Sequence, residues 1–281
     1  SNTGVSYQLF AGTTPIGVPV AGTGGVLNLG LQTVDGSYRI VATNNTTNCS
    51  NNMTGSATIN TNTLPLSFAV SGGGAYCVGG TRMHVELGGS ETGISYQLHR
   101  DGSVVGLPMV GSGLPLDFGS YATSGNYTIT ATNTATGCTQ SMVGAAAIMV
   151  NALPDVYSVT GGGAYCDGGT GVHIGLLGSR TGVSYQAYNG GIASGPSQSG
   201  TDGPIDFGLK TMEGTYMITA TDDATGCVRN MPGSASVMVS PLPAAYTVIG
   251  GGNYCSGGTG VHVGLNGSEH DVNYQLLWEG S

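Results

Sequence analysis

The chain repeats itself every 89 residues. Tyr7-Gln8, Tyr96-Gln97, Tyr185-Gln186 and Tyr274-Gln275 stand at that spacing, as do Cys49, Cys138 and Cys227, then Cys77, Cys166 and Cys255. Tyr38, Tyr127 and Tyr216 keep it too, and so do His84, His173 and His262. Self-similarity at a fixed period means that each copy is one structural unit, stacked along the chain. The pairs Leu64-Pro65, Leu153-Pro154 and Leu242-Pro243 mark the boundaries, because proline is tolerated at a strand start but removes a donor within a sheet. Two copies are then complete, 63–151 and 152–240. Residues 1–62 read as the C-terminal part of an earlier copy and 241–281 as the N-terminal part of a later one. The simplest reading is a segment of a longer array; the rarer alternative is that partial copies of neighbouring chains complete one another.

Within a copy the pattern is that of strands. Over 81–87, Met83, Val85 and Leu87 alternate with Arg82, His84 and Glu86, the period of a half-buried strand. Ile94–Leu98 follows, with Asp101-Gly102 (Asn189-Gly190 in the next copy) as a hairpin turn. Residues 66–70, 104–105, 114–118, 127–131 and 145–150 complete about seven short strands. No stretch keeps helical spacing, and Gly, 52 of the 281 residues, or Pro interrupts nearly every run. The fold expected is all-β: tandem immunoglobulin-like β-sandwich domains. The triplets Gly36-Ser37-Tyr38, Gly125-Asn126-Tyr127 and Gly214-Thr215-Tyr216 make Tyr38, Tyr127 and Tyr216 structural tyrosine corners, each hydroxyl pinning the start of the penultimate strand. The central position of that strand falls to Ile129 and Ile218.

Cysteines recurring once per copy at each of two sites suit an oxidising compartment. Two pairings compete. Within a copy, Cys77 would bond Cys138 and Cys166 would bond Cys227, leaving Cys49 and Cys255 to partners outside the segment. Across the boundaries, Cys49–Cys77, Cys138–Cys166 and Cys227–Cys255 would use all six. The first is expected, since each domain then closes its own sheets. The bond would staple an end or edge of the sandwich, because the cysteine follows the corner tyrosine by 11 residues rather than two.

Only 7% of residues are charged, against about 25% in ordinary soluble domains, and the net charge is −9. An acidic chain repels a phosphate backbone, so no nucleic-acid partner is expected. No apolar run reaches the ~20 residues of a membrane span. No catalytic constellation, cofactor site or metal site emerges. The histidines face outward and the carboxylate Glu86 beside the first becomes Gly175 and Gly264. Asp222-Asp223 lacks the residues of a calcium loop, and the Gly-rich stretches Gly72–Gly74 and Gly161–Gly163 lead into no helix and read as turns. Asn44, Asn45, Asn48, Asn52, Asn126 and Asn266 stand in glycosylation sequons, which an Asn- and Thr-rich sequence also produces by chance.

The motif Cys-x-Gly-Gly (Cys77, Cys166, Cys255), followed by Gly-x-Tyr-x-Ile-x-Ala-Thr and Thr-Gly-Cys, resembles Ig-like and gliding-adhesin repeats of giant cell-surface proteins of Bacteroidota. The resemblance covers the whole chain and implies secretion to the cell surface, a disulfide between the two cysteine sites, and a role as stalk, adhesin or fibre. The chain departs from the gliding-adhesin pattern in having Tyr-Gln-Leu where an aromatic such as Trp is common, and in its longer middle segment. The expected function is an extracellular structural protein, not an enzyme, whose array forms a filament or surface stalk. The alternative is an adhesin whose repeats or tip bind glycans or other cell-surface ligands. With one lysine, Lys210, to guard the sheet edges, the partners expected first are neighbouring copies of itself.

Overall fold

The computed structural model describes residues 1–278, so the last three residues of the partial copy 241–281 lie outside the described residues. No helix forms among the described residues. The chain groups into two compact units, one of Ser1–Gly74 with Arg82–Met149, the other of Ala75–Thr81 with the described residues from Val150 on.

The first sheet comprises β1 (Val5–Ala11), β2 (Thr14–Ala21), β3 (Gly36–Asn44), β4 (Ser50–Asn52) and β5 (Ala57–Ile59), in the order β2-β1-β3-β4 with β5 also on β3. Then come β6 (Val70–Gly72), β7 (Gly74–Cys77), β8 (Met83–Leu87), β9 (Ile94–Arg100), β10 (Ser103–Val110), β11 (Leu116–Tyr121), β12 (Gly125–Asn133), β13 (Thr139–Ser141) and β14 (Ala146–Asn151). They form two sheets, β11-β8-β6 and β10-β9-β12-β14-β7, with β13 on β12.

The same plan returns in β15 (Val159–Gly161), β16 (Gly163–Cys166), β17 (Val172–Leu176), β18 (Val183–Asn189), β19 (Ile192–Ala193), β20 (Gln198–Ser199), β21 (Ile205–Lys210), β22 (Gly214–Asp222), β23 (Val228–Asn230) and β24 (Ala235–Ser240). Its sheets run β15-β17-β21 and β16-β24-β22-β18-β19, with β20 on β18 and β23 on β22. Last, β25 (Val248–Gly250) pairs with β26 (Val263–Leu265).

The two sheets of 152–240 face each other across one core. Ile174, Leu176, Ile205 and Phe207 of the smaller sheet pack against Tyr185, Ala187, Tyr216, Ile218, Ala220, Ala235 and Val237 of the larger. These are the alternate residues of their strands, so strict alternation places one apolar face inward. Each fully buried aliphatic side chain contributes roughly 1.5–3 kcal/mol. In 63–151 the homologous Val85, Leu87, Tyr96, Tyr127, Ile129, Ala131 and Ile148 are likewise buried.

The topology is immunoglobulin-like, and its signature is a first strand divided between the sheets. β15 lies in the smaller sheet, while β16 pairs in parallel with the last strand β24. Three glycines make the switch. Gly161, Gly162 and Gly163 all have positive φ, and a Cβ on Gly161 would sit 2.1 Å from the His173 carbonyl oxygen. Gly72–Gly74 repeat the geometry, so these stretches are sheet-crossing joints rather than plain turns.

The hairpin after β9 turns through Asp101 (φ 49°) and Gly102 (φ 83°), the positive pair of a type I′ turn. In the next copy the turn lies one residue later than expected. Gly190 and Gly191 carry the positive angles, and Asn189 stays in β18 opposite Ile192.

Among the outer strands only β21 carries a lysine, Lys210, and two others are blunted in other ways. β2 and β10 carry Pro15, Pro19 and Pro108, and both break register against their neighbours. Prolines and bulges are themselves barriers to edge pairing.

Candidate functional site at the cysteine positions

The six cysteines occupy two kinds of position, each held by a local scaffold that the repeat reproduces. Cys77 and Cys166 end β7 and β16, the second half of the split first strand, whereas Cys255 stands outside any strand. In all three the carbonyl accepts the amide of the glycine three residues on: Gly80 to Cys77 at 2.8 Å, Gly169 to Cys166 and Gly258 to Cys255 at 2.9 Å. The late cysteine closes a tight loop after the penultimate strand. Its amide donates to a threonine Oγ1, Thr47, Thr136 or Thr225, at 3.3–3.4 Å. Its carbonyl accepts the amide of Asn44, Asn133 or Asp222.

One disulfide is formed, between Cys77 and Cys227, 150 residues apart with Cα atoms separated by 5.6 Å. This corrects the expected bonds Cys77–Cys138 and Cys166–Cys227, and equally the alternatives Cys49–Cys77, Cys138–Cys166 and Cys227–Cys255. Cys49, Cys138, Cys166 and Cys255 carry free thiols.

The reason is strand direction. β16 is parallel to β24, and Cys166 stands opposite Ser240 at the end of both. β22 runs the other way, its start Gly214 opposite Val237, so Cys227 beyond Asp222 lies at the far end of the same sandwich. Strand rise puts about 30 Å between the two positions, whereas a disulfide requires Cα atoms within about 7 Å. A copy therefore cannot bond its own two cysteines. Cys77, in the segment Ala75–Thr81 that groups with the second unit, reaches Cys227 instead and leaves it fully buried.

Other recurring side chains hold the framework. The hydroxyls of Tyr38, Tyr127 and Tyr216 donate to the carbonyls of Val34, Thr123 and Met212, four residues earlier, at 2.8–2.9 Å. Ile129 and Ile218 lie in the core.

The Tyr-Gln pair, used above only to find the period, has two jobs. Tyr7, Tyr96, Tyr185 and Tyr274 each accept the backbone amide five residues upstream, from Asn2, Glu91, Arg180 and Glu269. Gln97 Nε2 donates to the carbonyls of Leu98 (2.9 Å) and Val105 (3.0 Å), spanning the place where β10 slips register; Gln8 does the same. Ser90 and Ser179, the buried polar residues, donate to Leu114 and Gly203 carbonyls and accept the amides of Ser112 and Thr201. Their recurrence at 89 residues was the signal for these roles.

Charged side chains among the described residues meet in pairs at the surface. His84 and His173 face outward and meet a carboxylate from the neighbouring strand, Asp117 at 3.0 Å and Asp206 at 2.7 Å, in exposed pairs. The Gly119 amide and then His84 hold Asp117 below the usual carboxylate range. Asp222 is also lowered, first by the Thr225 hydroxyl, because its side chain caps the loop through the amides of Ala224 and Thr225. Asn44 and Asn133 cap the equivalent loops. No group of three or more metal-ligating side chains occurs among the described residues, and no helix there is long and apolar enough to cross a membrane.

No protein-family profile matches the chain, and no curated protein does. Among solved structures it is similar to the human OSCAR ligand-binding domain, at 14% identity and a TM-score of 0.27 over 62% of this chain and 100% of that one. The fibronectin(III)-like modules of Clostridium thermocellum CbhA align at 14% identity and a TM-score of 0.32, over 60% of this chain and 90% of theirs. Sidekick-1 immunoglobulin domains 1–4 align at 12% and 0.23, over 86% and 68%.

Proposed function

We propose that the chain is part of an extracellular structural array, a filament or cell-surface stalk of the kind its sequence resembles, in which each copy is a rigid spacer and not an enzyme. The observation that carries this reading is the bond between Cys77 and Cys227, which ties the copy 63–151 to the copy 152–240. A covalent tie between successive domains restrains their separation under pull, a property useful to a tether. Its formation needs an oxidising compartment, in keeping with a place outside the cytosol. Within this reading the domain plan is two full spacers, 63–151 and 152–240, flanked by parts of two others, and the partners are further copies of the same repeat.

Immunogold electron microscopy of the source cells with antibody to this chain tests the reading. Labelled surface threads with an axial period of one domain, about 35–40 Å from strands of six to eight residues plus loops, are expected. Label confined to the cell interior, with all six cysteines reduced, would overturn it.

A further inference from the structure

We propose that Cys77–Cys227 is one link of a regular staggered series, in which the early cysteine of every copy bonds the late cysteine of the copy that follows. This deepens the reading as a structural array and rests on it. Two observations carry it. The stagger of 150 residues, applied onward from Cys166 and Cys255 or backward from Cys49 and Cys138, lands outside residues 1–281 in every case. Under this rule none of the four free cysteines is the partner of another, in keeping with their free thiols. In addition, each of the four sits in the hydrogen-bonded scaffold of its bonded counterpart: the Gly-to-Cys carbonyl bond at the early site and the threonine-capped loop at the late site. The hydrogen bonds that hold a bonded position therefore recur at the free ones of its type.

The partner of each free thiol is therefore another copy of this repeat, of the complementary cysteine type. Each link joins two thiols with release of two protons and two electrons, which reduce the disulfide of an oxidant such as oxidised glutathione or a thiol oxidoreductase to its thiol form. The adjoining copy is either a continuation of the same polypeptide or belongs to a second chain.

The test is disulfide mapping. The chain is mixed as isotope-labelled and unlabelled pools, equilibrated in oxidised and reduced glutathione, and digested without reduction for mass spectrometry. The native protein from its source is mapped in parallel. The series predicts Cys77–Cys227 within one chain, and early-to-late bonds alone for the rest, joining Cys166 or Cys255 to Cys49 or Cys138. Mixed-label bonds identify a second chain as the partner; native bonds at the same 150-residue stagger identify a continuing polypeptide. The double variant Cys166→Ser/Cys255→Ser should lower the cross-linked fraction on the order of tenfold, since only late cysteines then remain.

Early-to-early, late-to-late or within-copy bonds would overturn the proposal, as would four thiols that stay free in both samples. Such a failure would leave the structural-array reading standing if Cys77–Cys227 is present, whereas loss of that bond would remove both.

Discussion

Two glycines with nearly the same backbone angle show what a single residue contributes to this fold. Gly161 and Gly208 have φ of 86° and 78°, but a Cβ on Gly208 meets nothing within 4 Å, whereas on Gly161 it strikes a backbone oxygen. Gly208→Ala should cost about 1 kcal/mol for the left-handed conformation alone. Gly161→Ala should cost ~3 kcal/mol or more, because the first strand can no longer cross between sheets; urea unfolding of both variants checks the difference. The tyrosines allow a second comparison. Tyr185→Phe strands the Arg180 amide and Tyr216→Phe strands the Met212 carbonyl, with both rings still filling the core. Each should lose about 1 kcal/mol by the same assay. The corner tyrosine was legible in the sequence because its Gly-x-Tyr setting is local. The second tyrosine was not, because the amide it accepts lies in an irregular loop that no periodicity describes.

At the level of elements, carboxylates hold the loops and tyrosines hold the sheets, which fixes the pH response. Asp117, Asp202 and Asp222 all titrate below the ordinary carboxylate range, held down chiefly by the Gly119 amide, the Thr181 hydroxyl and the Thr225 hydroxyl. A lowered folded pKa adds stability above the unfolded value of about 3.9, and that stability is lost as pH falls through the folded pKa. Tyr96 and Tyr185 are raised, mainly by burial. Their contribution is complete below the unfolded value of about 10 and is lost as pH rises through the raised one. The urea midpoint should therefore be level from about pH 5 to 9 and fall on both sides; a midpoint still level at pH 11 would contradict the burial of these hydroxyls. The strands were readable because residues such as Met83, Val85 and Leu87 alternate with polar neighbours. The glycine runs read as turns for lack of one fact, that the last strand runs parallel to the first. That pairing joins residues more than 70 positions apart, such as Gly163 and Val237.

For the whole molecule, the same parallel pairing decides where the cysteines go. The expectation that each domain closes its own sheets suggested a bond within each copy, but strand direction puts the two sites at opposite ends of one sandwich, so the bond must join copies. The Cys77–Cys227 tie should bear load, which single-molecule stretching of the chain from its two ends reads out. With Cys77–Cys227 closed, the 150-residue span between them cannot extend, so the fully stretched chain should be about 50 nm shorter than after reduction. Equal contour lengths before and after reduction would rule out a closed, load-bearing bond.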